Sequence, residues 1–132
     1  MYSGVIVKFI RALAAGTPPV IFGDGKQTRD FTYIENVVQA NLLAIEVPDE
    51  TVLGKVFNVG TGVETEINEL LELIARKMGK SVEPEHRQAR SDDIRSSLAD
   101  ITLARRFLKY TPKTSLEEGI EATVKYYLQN ES

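Results

Sequence analysis

With 132 residues, 42% of them apolar, and no cysteine, the chain has material for one packed domain or part of one, and it excludes disulfides and thiolate zinc sites. The formal net charge of −3 argues against a general nucleic-acid binder, and the single His86 argues against a histidine-based metal site. No apolar run approaches the roughly 18 residues of a membrane span, and Lys8 and Arg11 interrupt what would be the apolar region of a signal peptide. A soluble, cytoplasmic protein without nucleic-acid or membrane partners is expected.

Val5, Ile6, Phe9, Ile10 and Leu13 fall at helical spacing, and Gly16 followed by Thr17-Pro18-Pro19 ends that helix. Val20-Ile21-Phe22 reads as a short apolar strand before the turn Gly23-Asp24-Gly25, and the alternation of Phe31 and Tyr33 reads as the start of another strand. From Ile34 to Ile45 a second helix carries Ile34, Val37, Val38, Ala40, Leu42, Leu43, Ala44 and Ile45 on more than one face, so burial on more than one side is expected. Pro48-Asp49-Glu50 makes a loop, Lys55-Val56-Phe57-Asn58-Val59 a strand, and Gly60-Thr61-Gly62 the turn after it. Ile67, Leu70, Leu71, Ile74 and Met78 mark an amphipathic helix capped by Thr65 and closed by Gly79. Residues 80 to 100 are polar and irregular, with a short strand at Ser81 to Glu85. A short helix from Ile101 to Leu108 precedes Pro112. The last helix starts at Ser115 with Glu118 three residues on, a capping box, and Leu116, Ile120, Val124 and Leu128 form its inner stripe. The order predicts an α/β fold (mixed α+β) of about five helices with short strands.

The stretch from Gly23 to Ile34 carries the most chemistry. Its glycines let the backbone turn tightly and approach a ligand, and an arginine held just behind them, Arg29, suits bidentate binding of a phosphate. A β-turn with a surface salt bridge is the competing reading of the same residues. Arg87, Arg90 and Arg95 lie in a second loop with Asp92 and Asp93, where a solvated charge run is the default. Val59-Gly60-Thr61-Gly62 has the look of a dinucleotide-binding turn, but Thr65 stands where the third glycine of Gly-x-Gly-x-x-Gly belongs, so a structural turn is the better reading.

Residues 23–34, Gly-x-Gly-x-Gln-x-Arg-Asp-Phe-x-Tyr-Ile, resemble the signature in the C-terminal half of the extended short-chain dehydrogenase/reductase family, the NAD-dependent nucleotide-sugar epimerases, dehydratases and decarboxylases. Tyr2 to Ile10, Val56 to Gly62, Arg90 to Asp100 and Ser115 to Ile120 match in the same order, closest in flavour to UDP-glucose 4-epimerase-like members. The resemblance implies that residues 1–132 form a single partial domain, the substrate-binding C-terminal portion of a Rossmann-type enzyme whose N-terminal NAD-binding part is absent. It implies a UDP-sugar ligand, with Arg29 and Arg90 on the diphosphate and Asp93 on the ribose hydroxyls. Asp92 replaces the glycine usual between the arginine and the acid. Phe22 and Gln27 are candidate base contacts, and Asp30 is expected to orient Arg29 or cap a turn.

The chemistry implied is reversible hydride transfer, with a tyrosine base and a lysine four residues later. Positions four after Tyr2, Tyr33, Tyr110, Tyr126 and Tyr127 are Ile6, Val37, Thr114, Asn130 and Glu131, so no residue here is assigned as catalytic. NAD belongs to the full-length family, and no cofactor is expected on this chain alone. In the family a helix like 34–46 and a strand like 56–59 pack on the cofactor domain's sheet. Self-association, or pairing with an NAD-binding N-terminal half, is therefore expected. Other readings are a non-catalytic interaction subunit or fragment assembling with another chain, a 4,6-dehydratase or decarboxylase fragment, and a generic phosphate-binding module.

Overall fold

Apolar spacing folds the start of the chain into helix α1 (Val5–Ala14), which buries Phe9, Ile10 and Leu13. The computed structural model describes residues 4–48, 50–91 and 93–130, and readings that involve Tyr2, Ser3, Asp49 and Asp92 lie outside them. After α1 come β1 (Val20–Phe22), β2 (Thr28–Arg29), α2 (Ile34–Glu46), a 3-10 turn (Glu50–Val52), β3 (Thr65–Glu66) and α3 (Ile67–Lys77). Strands β4 (Glu85–Arg87) and β5 (Ser96–Ser97) follow, then α4 (Thr102–Leu108) and α5 (Leu116–Asn130). The order is the mixed helix and short strand expected.

The main core gathers on α3. Leu70, Leu71 and Ile74 pack with Phe9 and Ile10 of α1, Ile21 of β1, and Ile120 and Val124 of α5. Ile74 is completely buried, so truncating it to alanine removes about 2–5 kcal/mol. Lys77 reaches across to Glu117 at 2.9 Å and Glu121 at 2.7 Å, tying α3 to α5 at the surface. The capping box of α5 forms as expected: the Ser115 N–H and hydroxyl donate to Glu118 Oε2, and the Glu118 N–H donates back to Ser115 Oγ. A second, smaller core joins Ala40 of α2 to Ile101, Ala104, Leu108 and Tyr110, with Phe57 and Val59 packed against it.

Two small sheets position the site. β1 pairs with β4 in parallel, and β2 sits between antiparallel β3 and parallel β5. Thr28 thus faces Glu66 and Ser96, and Arg29 faces Thr65 and Ser97. Glu64 Oε1 accepts from the hydroxyls of Thr28, at 2.8 Å, and of Ser96, which pins the three-stranded register.

Several expectations are corrected. The strand placed at Ser81 to Glu85 lies at Glu85–Arg87, because the parallel ladder to β1 sets the register, while Val82 packs against the main core instead. Phe31 and Tyr33 are not in a strand: pairing to β3 and β5 ends at Arg29, and Tyr33 is the N-cap of α2. The cap of α3 is Glu66, whose N–H donates to Glu69 Oε2 at 3.2 Å, while Thr65 is buried in β3. Residues 55–59 form no strand. Phe57 and Val59 are half-buried and Val56 and Asn58 exposed, so the alternation survives without a ladder partner among the described residues. Helix α2 buries only Asn36 and Ala40, leaving Ile34, Val38, Leu42 and Ile45 exposed, because among the described residues nothing covers its second face.

Candidate functional site

The chain leaves β1 through a turn that only glycine can make. Gly25 has φ +73°, and a Cβ there would overlap the Asn68 side chain. The Asn68 N–H donates to the Gly25 carbonyl at 3.0 Å, Asn68 Nδ2 to the Asp24 carbonyl at 3.0 Å, and the Ile67 N–H to the Gln27 carbonyl at 3.1 Å. The turn is thereby stapled to the start of α3, and β2 carries Arg29 out of it at a fixed position. From the other side the Thr28 N–H donates to the Arg95 carbonyl at 2.9 Å, which brings the 90–95 loop beside β2.

Between these segments lies a cavity of about 260 Å³. Phe9, Ile21 and Ile67 supply its apolar lining, and Lys8, Phe22, Gln27, Arg29, Arg90 and Asp93 its aromatic and polar lining. Three cations against one carboxylate make the lining positive.

Arg29 is held on three sides. Its Nη1 donates to the carbonyls of Thr28 at 2.7 Å and Ile94 at 2.6 Å, and its Nη2 pairs with Asp93 Oδ1 at 2.5 Å. Those bonds use three of the guanidinium's donors, and a guanidinium carries five N–H groups. Its side chain is 27% exposed and that of Asp93 is 33% exposed, so both reach solvent through the cavity. Gln27, 8% exposed, donates through Nε2 to the Phe22 carbonyl at 2.9 Å and to Asp93 Oδ2 at 3.3 Å. The Arg90 guanidinium lies 4.1 Å over the Phe22 ring, a cation–π stack that makes one wall of aromatic and cationic surface.

Two neighbouring contacts support this frame. Arg95 grips the Asp24 carboxylate at 2.7 and 3.1 Å, and that hydrogen-bonded arginine, helped by the Lys26 N–H, lowers the Asp24 carboxyl to about 2. Asp30 does not line the cavity. Its carboxylate accepts from the Thr61 N–H at 2.8 Å, the Thr61 hydroxyl at 2.6 Å and the Gly62 N–H at 2.9 Å. Burial alone would raise its pKa, but these bonds outweigh burial and hold it below the ordinary aspartate value. Tyr110 completes the clamp by donating to the Gly60 carbonyl at 2.8 Å.

All five residues singled out in the sequence, Phe22, Gln27, Arg29, Arg90 and Asp93, therefore line one cavity. Of the two roles read for Asp30, capping a turn is the one observed, and the partner of Arg29 is Asp93. Lys8, within the Tyr2 to Ile10 segment that carries the resemblance, and Ile67, which nothing in its local sequence singles out, also line the cavity. Only the direction of a helix face and of a helix start places them there. The stretch 23–34 also forms a surface salt bridge, though its partner, Arg95 on Asp24, comes from the second loop rather than from the stretch itself.

Chains similar to this one are found among enzymes named for nucleotide sugars. A family model described as GDP-mannose 4,6 dehydratase matches residues 2–123. The chain is 42% identical over 125 residues to the UDP-glucose 4-epimerase of Mycolicibacterium smegmatis, which covers 95% of this chain and 39% of that protein. It is similar in structure to the UDP-glucose 4-epimerase of Thermotoga maritima crystallised with UDP-glucose, at a TM-score of 0.89 and 40% identity over 98% of this chain and 41% of that one. The UDP-glucuronic acid 4-epimerase of Bacillus cereus, in complex with UDP-glucuronic acid and NAD, gives a TM-score of 0.89 at 31% identity, over 96% of this chain and 40% of that one. The chain thus spans about two fifths of the length of these relatives.

Proposed function

Because the chain belongs to the family described as GDP-mannose 4,6 dehydratase, we propose that its cavity holds the nucleoside diphosphate of a UDP-sugar. On this reading the chain is the nucleotide-sugar-binding portion of an NAD-dependent, UDP-glucose 4-epimerase-like enzyme. Arg29 and Arg90 clamp the diphosphate, Asp93 accepts from the ribose hydroxyls, and Phe22 walls the base. The observation that carries the reading is Arg29, fixed by Asp93 and two backbone carbonyls at the edge of a positively lined cavity. A guanidinium held in one orientation presents its remaining donors to phosphate oxygens without losing further rotamer freedom.

NAD takes hydride from the sugar and returns it in enzymes of this kind, and the residues of this chain do not fit that cofactor. The one turn with a dinucleotide look has the N–H groups of Thr61 and Gly62 occupied by Asp30, so it offers neither of these to a pyrophosphate. The 132 residues also contain no Tyr-x-x-x-Lys. What this chain does is bind and orient, and the proton and hydride steps belong to residues outside it. A cytoplasmic location goes with this reading. Among the described residues no helix is long and apolar enough to cross a membrane.

One observation favours a partner as well. Ile34, Val38, Leu42 and Ile45 make an exposed apolar stripe on α2. A second copy or an NAD-binding half covers it on this reading. Calorimetric titration with UDP-galactose, UDP and inorganic phosphate tests the site. Preference for the nucleotides supports it, equal competition by phosphate favours a generic phosphate site, and no binding by a folded chain favours an interaction subunit.

A further inference from the structure

The buried amide of Gln27 lies against two acceptors, the Phe22 carbonyl at 2.9 Å and the Asp93 carboxylate at 3.3 Å. Only the NH₂ end of an amide fits between them, and each of its protons then has a partner. Gln27 is 8% exposed and so shows little of itself to a ligand. Asp93, by contrast, is held at one oxygen by Arg29 and at the other by Gln27, 66 residues away in sequence. A carboxylate accepts through about four lone-pair positions, so these two bonds fix its plane and leave capacity toward the cavity. Gln27 also anchors that orientation to the main chain at the end of β1, beside the ring on which Arg90 stacks.

We propose that Gln27 is a positioning residue which sets the Asp93 carboxylate for a vicinal diol, so that the site discriminates ribonucleotides from 2′-deoxyribonucleotides. The inference rests on the diphosphate-sugar reading above and adds to it the source of sugar selectivity in the nucleotide. Removing Gln27 frees Asp93 to turn about its own side-chain bonds while Arg29 still holds one oxygen. The contact to one hydroxyl survives better than the simultaneous contact to both.

The test uses the full chain, labelled with ¹⁵N, together with calorimetry on UDP and dUDP. The Gln27 side-chain amide signals shift in Asp93→Asn if the contact exists, and unmoved signals overturn the inference without any ligand. For binding, Gln27→Met weakens UDP by about tenfold and lowers the UDP/dUDP preference toward one. The double variant Gln27→Met/Asp93→Asn binds no more weakly than Asp93→Asn alone. Additive losses, or equal weakening of UDP and dUDP, overturn the positioning role while leaving the nucleotide site intact. Gln27→Glu, of nearly the same size, serves if the methionine variant does not fold: two carboxylates face each other and UDP affinity falls at least as far. Failure of the folded wild-type chain to bind UDP overturns the proposed function, and this inference with it.

Discussion

Replacing Arg29 by alanine separates the proposed clamp from a structural salt bridge. In the folded chain Arg29 spends three donors on Thr28, Ile94 and Asp93. Losing those contacts affects stability only modestly. Its partner Asp93 is 33% exposed, and a pair this accessible is worth about 0.5–1 kcal/mol, while the two carbonyls can turn to water. A loss of about 1 kcal/mol lowers the melting temperature of a chain this size by about 3–5 °C. Ligand affinity responds more strongly. On the proposed reading the donors left over meet phosphate oxygens in charge-assisted bonds, and removing that interaction reduces binding by about 1.5–3 kcal/mol, about 10- to 150-fold in Kd. Calorimetric titration of UDP-galactose into both proteins, with melting curves alongside, reads the two effects separately. Arg29→Lys recovers charge but not the planar fork, so its affinity falls between the two. A Kd for Arg29→Ala within about twofold of wild type, in a protein that melts normally, refutes the clamp.

Arg90→Ala weakens UDP-galactose by about the same 1.5–3 kcal/mol and removes the stack on Phe22, both visible by titration and by the aromatic proton spectrum. Asp30 makes stability depend on pH with a defined sign. Its folded pKa lies below the model-compound value of 3.8, so its contribution is full above that value and is lost as pH falls through the folded one. Urea unfolding from pH 6 downward is expected to show a shallower acid limb in Asp30→Asn than in wild type. Gly25→Ala lowers stability by at least about 1–2 kcal/mol, the cost of the positive φ, with the overlap on Asn68 added to it, as read by urea unfolding. Leu42→Glu on the exposed stripe of α2 dissociates any self-association seen by sedimentation, and a wild type that sediments as a monomer at high concentration removes the second-copy reading.

Much of this chain is legible residue by residue, since helix periodicity, glycine turns and capping boxes act over a few neighbours. The spacing of Val5 to Leu13, the run Val20-Ile21-Phe22, the stripe Ile67 to Met78 and the Ser115/Glu118 box each specify an element that the fold contains. The motif around Arg29 also points to the site, because a turn that demands glycine and a residue fixed just after it are both local facts. Strand positions are less legible: 85–87 displaces 81–85, and 55–59 stays unpaired, since a ladder depends on a partner segment far off in sequence. The same holds for the arrangement of the candidate site. Arg29 meets Asp93 across 64 residues and Asp30 meets Thr61 across 31, distances over which no pattern in one sequence assigns partners. Types and spacings of residues decide which elements can form. Only their packing decides that Gln27 and Arg29 share one carboxylate and that one apolar face of α2 stays exposed.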